Sequence, residues 1–318
     1  MHFRTQIPIP KSSNPIDYAS RIVSLGSCFA ENIGEKFDYF KFQHTVNPFG
    51  IIFNPVSIEK IIRKTASGTN FSQDDIFFHN DLWHSFDVHS ELDSQEKEAL
   101  LHRLNTIVEN FRNDLIHATH ITITLGTAWV YRNNTTGEIV ANCHKVPQRA
   151  FTKELLSVVT IEESLQKIIA SITEINPDCK FIFTVSPVRH IKDGFVENQL
   201  SKSHLITALH SVLLTEHGSP NTIYFPSYEI LMDELRDYRF YAEDMLHPNQ
   251  TGIDYIWERF FQTMIAEQCH PVMETVASIQ KALQHRSFNP DSEQHKKFLE
   301  NLNQKIKALQ FQLPHISF

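Results

Sequence analysis

RIVSLGSCFAENIGEKF, residues 21–37, reads as a strand that breaks on a glycine–serine corner and turns directly into a helix. Ile22 to Leu25 is a short apolar run of the buried-strand type, and Cys28 to Phe40 carries its apolar residues at helical spacing. Ser27 stands on the corner, and two readings of it stay open from this stretch alone. Serine is among the best helix N-caps. A serine at this corner is also placed to act as a nucleophile, beside the free N–H groups that a helix N-terminus offers to a developing oxyanion.

Working outward, the same alternation recurs. Phe42 to Val46 reads as a second strand, and Pro55 to Lys64 as a helix. A long helix is expected from about Ser94 to His117. "THITITLG" (119–126) is β-branched almost throughout and ends on a glycine, the mark of a buried strand. Thr160 and Glu163 read as a capping box before the next helix. "KFIFTVSP" (180–187) is another buried strand, stopped by Pro187. A helix from about Glu197 to Glu216, a short strand from Thr222 to Phe225, and a helix capped by Asn249 and running to about Glu267 complete the series. Apolar strands alternating with helices predict an α/β fold with a parallel sheet covered on both faces. In such sheets ligands bind at the carboxyl ends of the strands. Gly26-Ser27, Gly126-Thr127 and Ser186-Pro187 all follow strand ends, so the site is expected to assemble from these separated segments.

Residues 70–92, with the mixed-polarity run "IFFHNDLWHSFDVHS", and residues 129–150, a hairpin around "NNTTG", read as insertions that roof the site. The expected division is an N-terminal extension (1–19), one α/β domain (20–270) and a C-terminal helical extension (271–318). That extension, from about Ser287, contains the polar amphipathic helix "DSEQHKKFLENLNQKIKAL".

Composition narrows the function classes. The 318-residue chain is 41% hydrophobic and 21% charged, ordinary for a globular protein. A net charge of −8 argues against general nucleic-acid binding, which needs a basic surface. No stretch is apolar for long enough to cross a bilayer, and the N-terminus lacks a signal-peptide pattern. The four cysteines are scattered, without a CxxC pair. The expectation is a soluble, cytoplasmic protein with reduced thiols and no membrane partner. No GxGxxG or Walker loop supports a nucleotide cofactor. No HExxH or Cys/His pattern of zinc spacing appears either. His79, His84 and His89 are evenly spaced, but in a strand His84 faces away from the other two. Neither a metal nor any other cofactor is expected.

The second chemically suggestive stretch is "YRFYAEDMLHPNQTG" (238–252), where Asp244 and His247 lie three residues apart ahead of the final helix of the domain. A serine nucleophile needs a base in hydrogen-bond reach and an acid to orient that base, and one turn of chain can supply both. A surface loop with a His-Pro turn is the plain alternative. Arg189 and His190 follow the strand "FIFTVSP", a position that suits either binding of a carboxylate or sugar hydroxyl, or bracing of the loop.

An early strand–Gly-Ser–helix corner paired with a late Asp-x-x-His-Pro resembles the SGNH (GDSL-like) hydrolase superfamily. The run Gly26-Ser27-Cys28-Phe29-Ala30 is similar, more narrowly, to the GSCFA domain family, as are "NCHKVP", "VSPVRH" and "RDYRFYAEDMLHP". The resemblance covers roughly residues 20–265. It implies a three-layer α/β/α sandwich with a flavodoxin-like parallel sheet. It further implies Ser27 as nucleophile, His247 as general base and Asp244 as its orienting acid. The N–H groups of Ser27 and Gly50 would be oxyanion donors. Two departures stand out. Gly26 directly precedes Ser27 where the superfamily has an aspartate between. After the central strand, Gly126-Thr127-Ala128 replaces Gly-x-Asn, so Ala128 cannot supply the asparagine donor. Thr127, Asn142 and His144 are the candidate substitutes, with His144 and Asn142 ranked ahead of Thr127. Cys28 is the competing nucleophile, though a small buried thiol is its simpler reading. What the resemblance implies is a serine esterase acting through an acyl-enzyme on a small acyl ester, such as acetyl, of a carbohydrate-like alcohol. An acyltransferase to a sugar hydroxyl and a binding protein that has lost the chemistry are the alternatives.

Overall fold

The structure, a computed structural model, describes residues 5–215, 221–285, 288–290 and 292–318. The expected helix end at Glu216 and the expected onset of the tail at Ser287 lie outside the described residues. From the N-terminus the elements are β1 (Arg21–Gly26), α1 (Cys28–Tyr39), β2 (Gln43–Val46) and α2 (Pro55–Ala66). The first insertion forms the hairpin β3 (Phe77–His79) and β4 (Leu82–His84), turned by Asn80 and Asp81 at φ +48° and +62°. There follow α3 (Lys97–His117) and β5 (His120–Leu125). The second insertion holds β6 (Trp129–Asn133), β7 (Ile139–Val140) and β8 (Phe151–Leu155). Then come α4 (Val158–Ile175), β9 (Lys180–Val185), α5 (Phe195–Leu214) and β10 (Thr222–Tyr224). The short α6 (Ser227–Glu229) runs on as a π-helical stretch over Ile230–Leu235. The helices α7 (Gln250–Met264), α8 (His270–Leu283) and α9 (Glu293–Gln312) complete the chain.

The central sheet is five-stranded and wholly parallel, in the order β10-β9-β5-β1-β2. Counted along the chain among these five strands, the order is 2-1-3-4-5, the doubly wound order of flavodoxin-like sheets, with its switch point between β1 and β5. Alternation along the strands splits the apolar residues between two cores. Val23, Ile121 and Phe181 face Ile61, Leu104, Leu165 and Leu205 of α2, α3, α4 and α5. Ile22 and Ile182 face Phe37, Ile256, Val276 and Leu309 of α1, α7, α8 and α9. Helices on both faces of one sheet make a three-layer α/β/α arrangement.

Several boundaries shift by a few residues, and three shifts have a local cause. The helix expected to be capped at Thr160 begins a turn earlier. Ser157 is its N-cap, its Oγ accepting from Thr160 N at 3.1 Å, and Thr160 is already inside the helix. Val158 and Val159, poor helix formers, hide this start from a propensity reading. The long helix α3 starts at Lys97, not Ser94, because Ser94 pairs with Trp83 in a short antiparallel bridge. The last helix of the sandwich ends at Met264, since Ala266 N donates instead to Ile16 O. The C-terminal helix packs on the domain through Leu302 and Leu309. Among the described residues, no helix is long and apolar enough to cross a membrane.

Candidate active site

The corner at Ser27 depends on Gly26. At φ +133°, a Cβ on Gly26 would lie 2.1 Å from Thr124 O, so only glycine lets β1 pass this close to β5 as it turns into α1. Asn47, at the end of β2, pins the turn from the other side, its Oδ1 accepting from Gly26 N at 2.9 Å. Ser27 is 1% exposed and is the N-cap of α1, its Oγ accepting from Phe29 N at 3.3 Å. The asparagine and serine caps of α2, α4, α7 and α9 differ: each reaches the third N–H of its helix, at 2.8, 3.1, 3.1 and 3.2 Å. Ser27 instead reaches the second N–H, by the longest of these bonds. Its hydroxyl therefore keeps its proton and a lone pair available.

The Asp-x-x-His segment forms a self-bonded loop. Asp244 Oδ1 accepts from Leu246 N at 2.9 Å and from His247 N at 3.0 Å, while Oδ2 takes His247 Nδ1–H at 2.6 Å. The backbone N–H groups of His247 and Leu246, and then the imidazole, lower the Asp244 pKa to about 2. With Nδ1 donating to the carboxylate, Nε2 is left as the basic nitrogen, on a side chain that is half exposed. Asn249 caps α7 and ties the loop back through Nδ2 to Arg239 O and Tyr241 O. Arg189 N donates to Leu246 O at 3.2 Å, which fastens this loop to the segment after β9.

The strand ends are joined underneath by α5. Lys202 is fully buried, and its Nζ donates to Gly126 O at 2.7 Å and Ser186 O at 2.8 Å. Burial pushes its pKa down to about 7, and it exerts a charge interaction on the Cys28 thiol. That thiol is pushed up by burial and by Glu31, which disfavours Cys28 as the nucleophile. Ser201 Oγ accepts from Ala128 N at 2.7 Å and bonds Thr127 Oγ1 at 2.9 Å. His190 stacks on Phe53 with centroids 5.6 Å apart. Its Nε2 is buried without a hydrogen-bond partner among the described residues. Burial, then the charges of Lys202 and His247, push the His190 pKa down to about 3. His190 is therefore a neutral ring between the buried lysine and the Asp244–His247 loop.

Ser27 and His247 thus lie on the same carboxyl edge of the sheet, and among the described residues no hydrogen bond joins them. The backbone donors implied by the resemblance are engaged in this conformation. Ser27 N donates to Thr124 O at 3.1 Å and Gly50 N to Asn47 O at 2.7 Å; Gly126, the remaining glycine of the expected site, likewise has its N–H bonded, to Phe53 O at 2.7 Å. Thr127 spends its hydroxyl on Ser201 and Trp129 N. Asn142 Oδ1 accepts from His144 N at 2.8 Å. His144 is buried, with Nε2 on Ser85 O at 2.7 Å and Nδ1 facing Asp93, so its ring is committed to the roof. Arg189 lies 5.4 Å from the Phe195 ring and 6.0 Å from that of Tyr241. These three residues, with Tyr228 and Tyr238, line a cavity of about 280 Å³ beside the His247 loop.

Sequence reasoning missed Asn47 and Lys202. A signal for Lys202 was present: Asn198, Ser201 and Lys202 continue N-terminally the stripe formed by Leu205, Ala208, Leu209 and Val212, placing polar residues at buried positions. Asn47 carried only the generic mark of a strand end before a proline.

The model of the GSCFA family matches residues 21–260 of this chain. That of the GSCFA domain protein, C-terminal domain, matches residues 276–318. No curated protein matches the chain.

Proposed function

This chain belongs to the GSCFA family, and on that premise we propose that it is a serine ester hydrolase of the SGNH type. The observation that carries the reading is the pairing on one sheet edge of a loosely bonded corner serine with a histidine whose Nδ1 is held by Asp244. Ser27 Oγ attacks the ester carbonyl carbon while His247 Nε2 takes its proton. The tetrahedral intermediate collapses, the C–O bond to the alcohol breaks, and His247 returns the proton to the leaving oxygen. Water then attacks the acyl-enzyme by the same route and releases the acid. Asp244 fixes the tautomer and stabilises the imidazolium. Ser27 is buried and His247 half exposed, so the reaction includes a rearrangement that opens the corner to substrate and brings His247 Nε2 within reach of Ser27 Oγ.

Asn47 takes the donor role that Ala128 cannot fill. Its amide is already bonded at the corner, and its Nδ2 makes only a long 3.4 Å bond to Glu31 that an oxyanion replaces readily. The cavity beside Arg189 receives the alcohol. Its tyrosines and arginine suit a sugar-like group, with a small acyl group such as acetyl at Ser27. The four free thiols support a reducing, cytoplasmic setting. The same acyl-enzyme passed to a sugar hydroxyl instead of water makes the protein an acyltransferase, and acceptor dependence separates the two.

The test is cleavage of p-nitrophenyl acetate and butyrate by wild type, Ser27→Ala and His247→Ala, with and without sugar acceptors. Loss of cleavage in both variants supports the serine chemistry, and consumption that rises with acceptor assigns it to transfer. Equal rates in all three proteins would remove the ester reading and leave a binding role for this fold.

A further inference from the structure

The roof holds a second group of titratable side chains, separate from the corner. His84 closes the β3–β4 hairpin, Asp93 precedes α3, and His144 lies just after β7. Their side chains are 5%, 9% and 0% exposed. One ligand atom from each falls within 4.8 Å of the other two. His84 Nδ1 lies 2.8 Å from Asp93 Oδ2, and His144 Nδ1 lies 3.3 Å from Asp93 Oδ1. The opposite ring nitrogens are both engaged, His84 Nε2 with His79 O at 2.8 Å and His144 Nε2 with Ser85 O at 2.7 Å. A carbonyl only accepts, so each Nε2 carries the proton and each Nδ1 of a neutral ring presents a lone pair.

Two lone pairs and a carboxylate therefore face one another in a buried pocket. Among the described residues, His84 Nδ1, His144 Nδ1 and Asp93 Oδ1 have no aligned hydrogen bond despite the short contacts. A shared proton would align each nitrogen with an oxygen. A cation instead draws all three toward a common point. Tetrahedral ligation at about 2.0–2.2 Å sets donors about 3.3–3.6 Å apart, close to the 3.3 Å between His144 Nδ1 and Asp93 Oδ1, so small side-chain movements within this group bring all three onto one ion. Backbone carbonyls on the far ring nitrogens are the usual outer partners of metal-bound histidine. The walls are apolar: the stacked rings of Phe77 and Phe86 lie 5.9 Å and 6.3 Å from His144. His144 and Lys145 sit at φ +48° and +59°, a left-handed pair of non-glycine residues where His144 is presented.

We propose that His84 Nδ1, Asp93 and His144 Nδ1 bind one divalent first-row transition-metal ion, with water completing its coordination. Its place is structural. The ion joins the β3–β4 hairpin, the segment before α3 and the loop after β7, so it staples the two insertions that roof the carboxyl edge. The site is independent of the ester chemistry at Ser27.

The experiment uses the full chain, stripped with a strong chelator and then titrated with Zn(II), or with Co(II) for its visible absorption. Metal content and thermal unfolding are the readouts, compared among wild type, His84→Gln and His144→Gln. The expected result is one ion per wild-type chain, a cobalt spectrum of low-symmetry nitrogen/oxygen ligation, and a melting temperature that falls on stripping and returns with Zn(II). In either variant affinity should fall by more than the roughly 10–100-fold typical of losing an outer partner. A stripped wild type that takes up no stoichiometric metal, or whose melting temperature ignores it, overturns the proposal. So does unchanged affinity in the variants. If a variant does not fold, the wild-type titration alone still decides.

Discussion

The histidine–aspartate group at the sheet edge and the one in the roof are wired in opposite senses. At the sheet edge, Asp244 grips His247 by Nδ1 and leaves Nε2 unbonded on a half-exposed side chain. In the roof, backbone carbonyls grip His84 and His144 by Nε2 and leave both Nδ1 atoms facing a buried carboxylate. The first arrangement suits the proposed base, which meets something that approaches from outside. The second closes around something small that stays. The residue types are the same, and the nitrogen that is tied down decides which chemistry is open to each.

The sharpest way to break this contrast is to remove each histidine in turn. His247→Gln should lower ester turnover by about 10³-fold or more, because a general base and its proton relay are lost. His84→Gln should leave the per-molecule rate of folded protein near wild type. Steady-state kinetics on both variants, with folded fraction from circular dichroism, checks this. A smaller effect is expected from Asp244→Asn. It should cost about 10²-fold in kcat, within the usual range for base catalysis, because the loop's other bonds still hold His247 near its place.

Stripping metal should act on the other group only. At 100 times the dissociation constant, a bound ion adds about 2.7 kcal/mol to stability. Chelation should thus lower Tm by about 5 °C, measured by scanning calorimetry, while initial ester rates below the transition stay the same. The smallest effect concerns acid. Asp244 titrates near 2 in the fold against 3.8 for an ordinary aspartate. A depressed carboxyl pKa favours the folded state above the unfolded value, and that advantage is lost as pH falls from about 4 toward 2. The Asp244 side-chain carbon resonance should therefore stay fixed from pH 7 to pH 4 and move only below about pH 3. A midpoint near 4 would mean that the Asp244 bonds to Leu246 N and His247 N are not formed.

How far the sequence revealed each group follows from the distance over which its signal is spread. The corner at Ser27 and the Asp244–His247 pair are contiguous, so strand patterning, a glycine turn and a three-residue spacing point to them. The parallel sheet was legible for the same reason, since β1, β5 and β9 are each a local apolar run ending on a turn. The roof group is drawn from residues 84, 93 and 144, and no local period links them. The even spacing of His79, His84 and His89 pointed to histidines that do not work together: only His84 joins the group, and its partners come from a different hairpin and a loop. His144 was read as a donor for the oxyanion because it follows the strand after Gly126. The fold instead turns it into the roof by a left-handed backbone. Lys202 escaped notice because a lysine in a helix is ordinarily solvated, and only the packing of α5 across the strand ends buries it. The strand β8 was missed because "FTKEL" is short and mixed, and gains its place only by pairing with β6.

In the proposed mechanism the corner serine is made reactive by the histidine of the distant loop. Fluorophosphonate labelling of wild type and His247→Ala, followed by peptide mass spectrometry, tests it most directly. A single adduct on Ser27 is expected in the wild type, formed far more slowly in His247→Ala. No adduct on Ser27, or labelling of Ser27 at the same rate without His247, would contradict it.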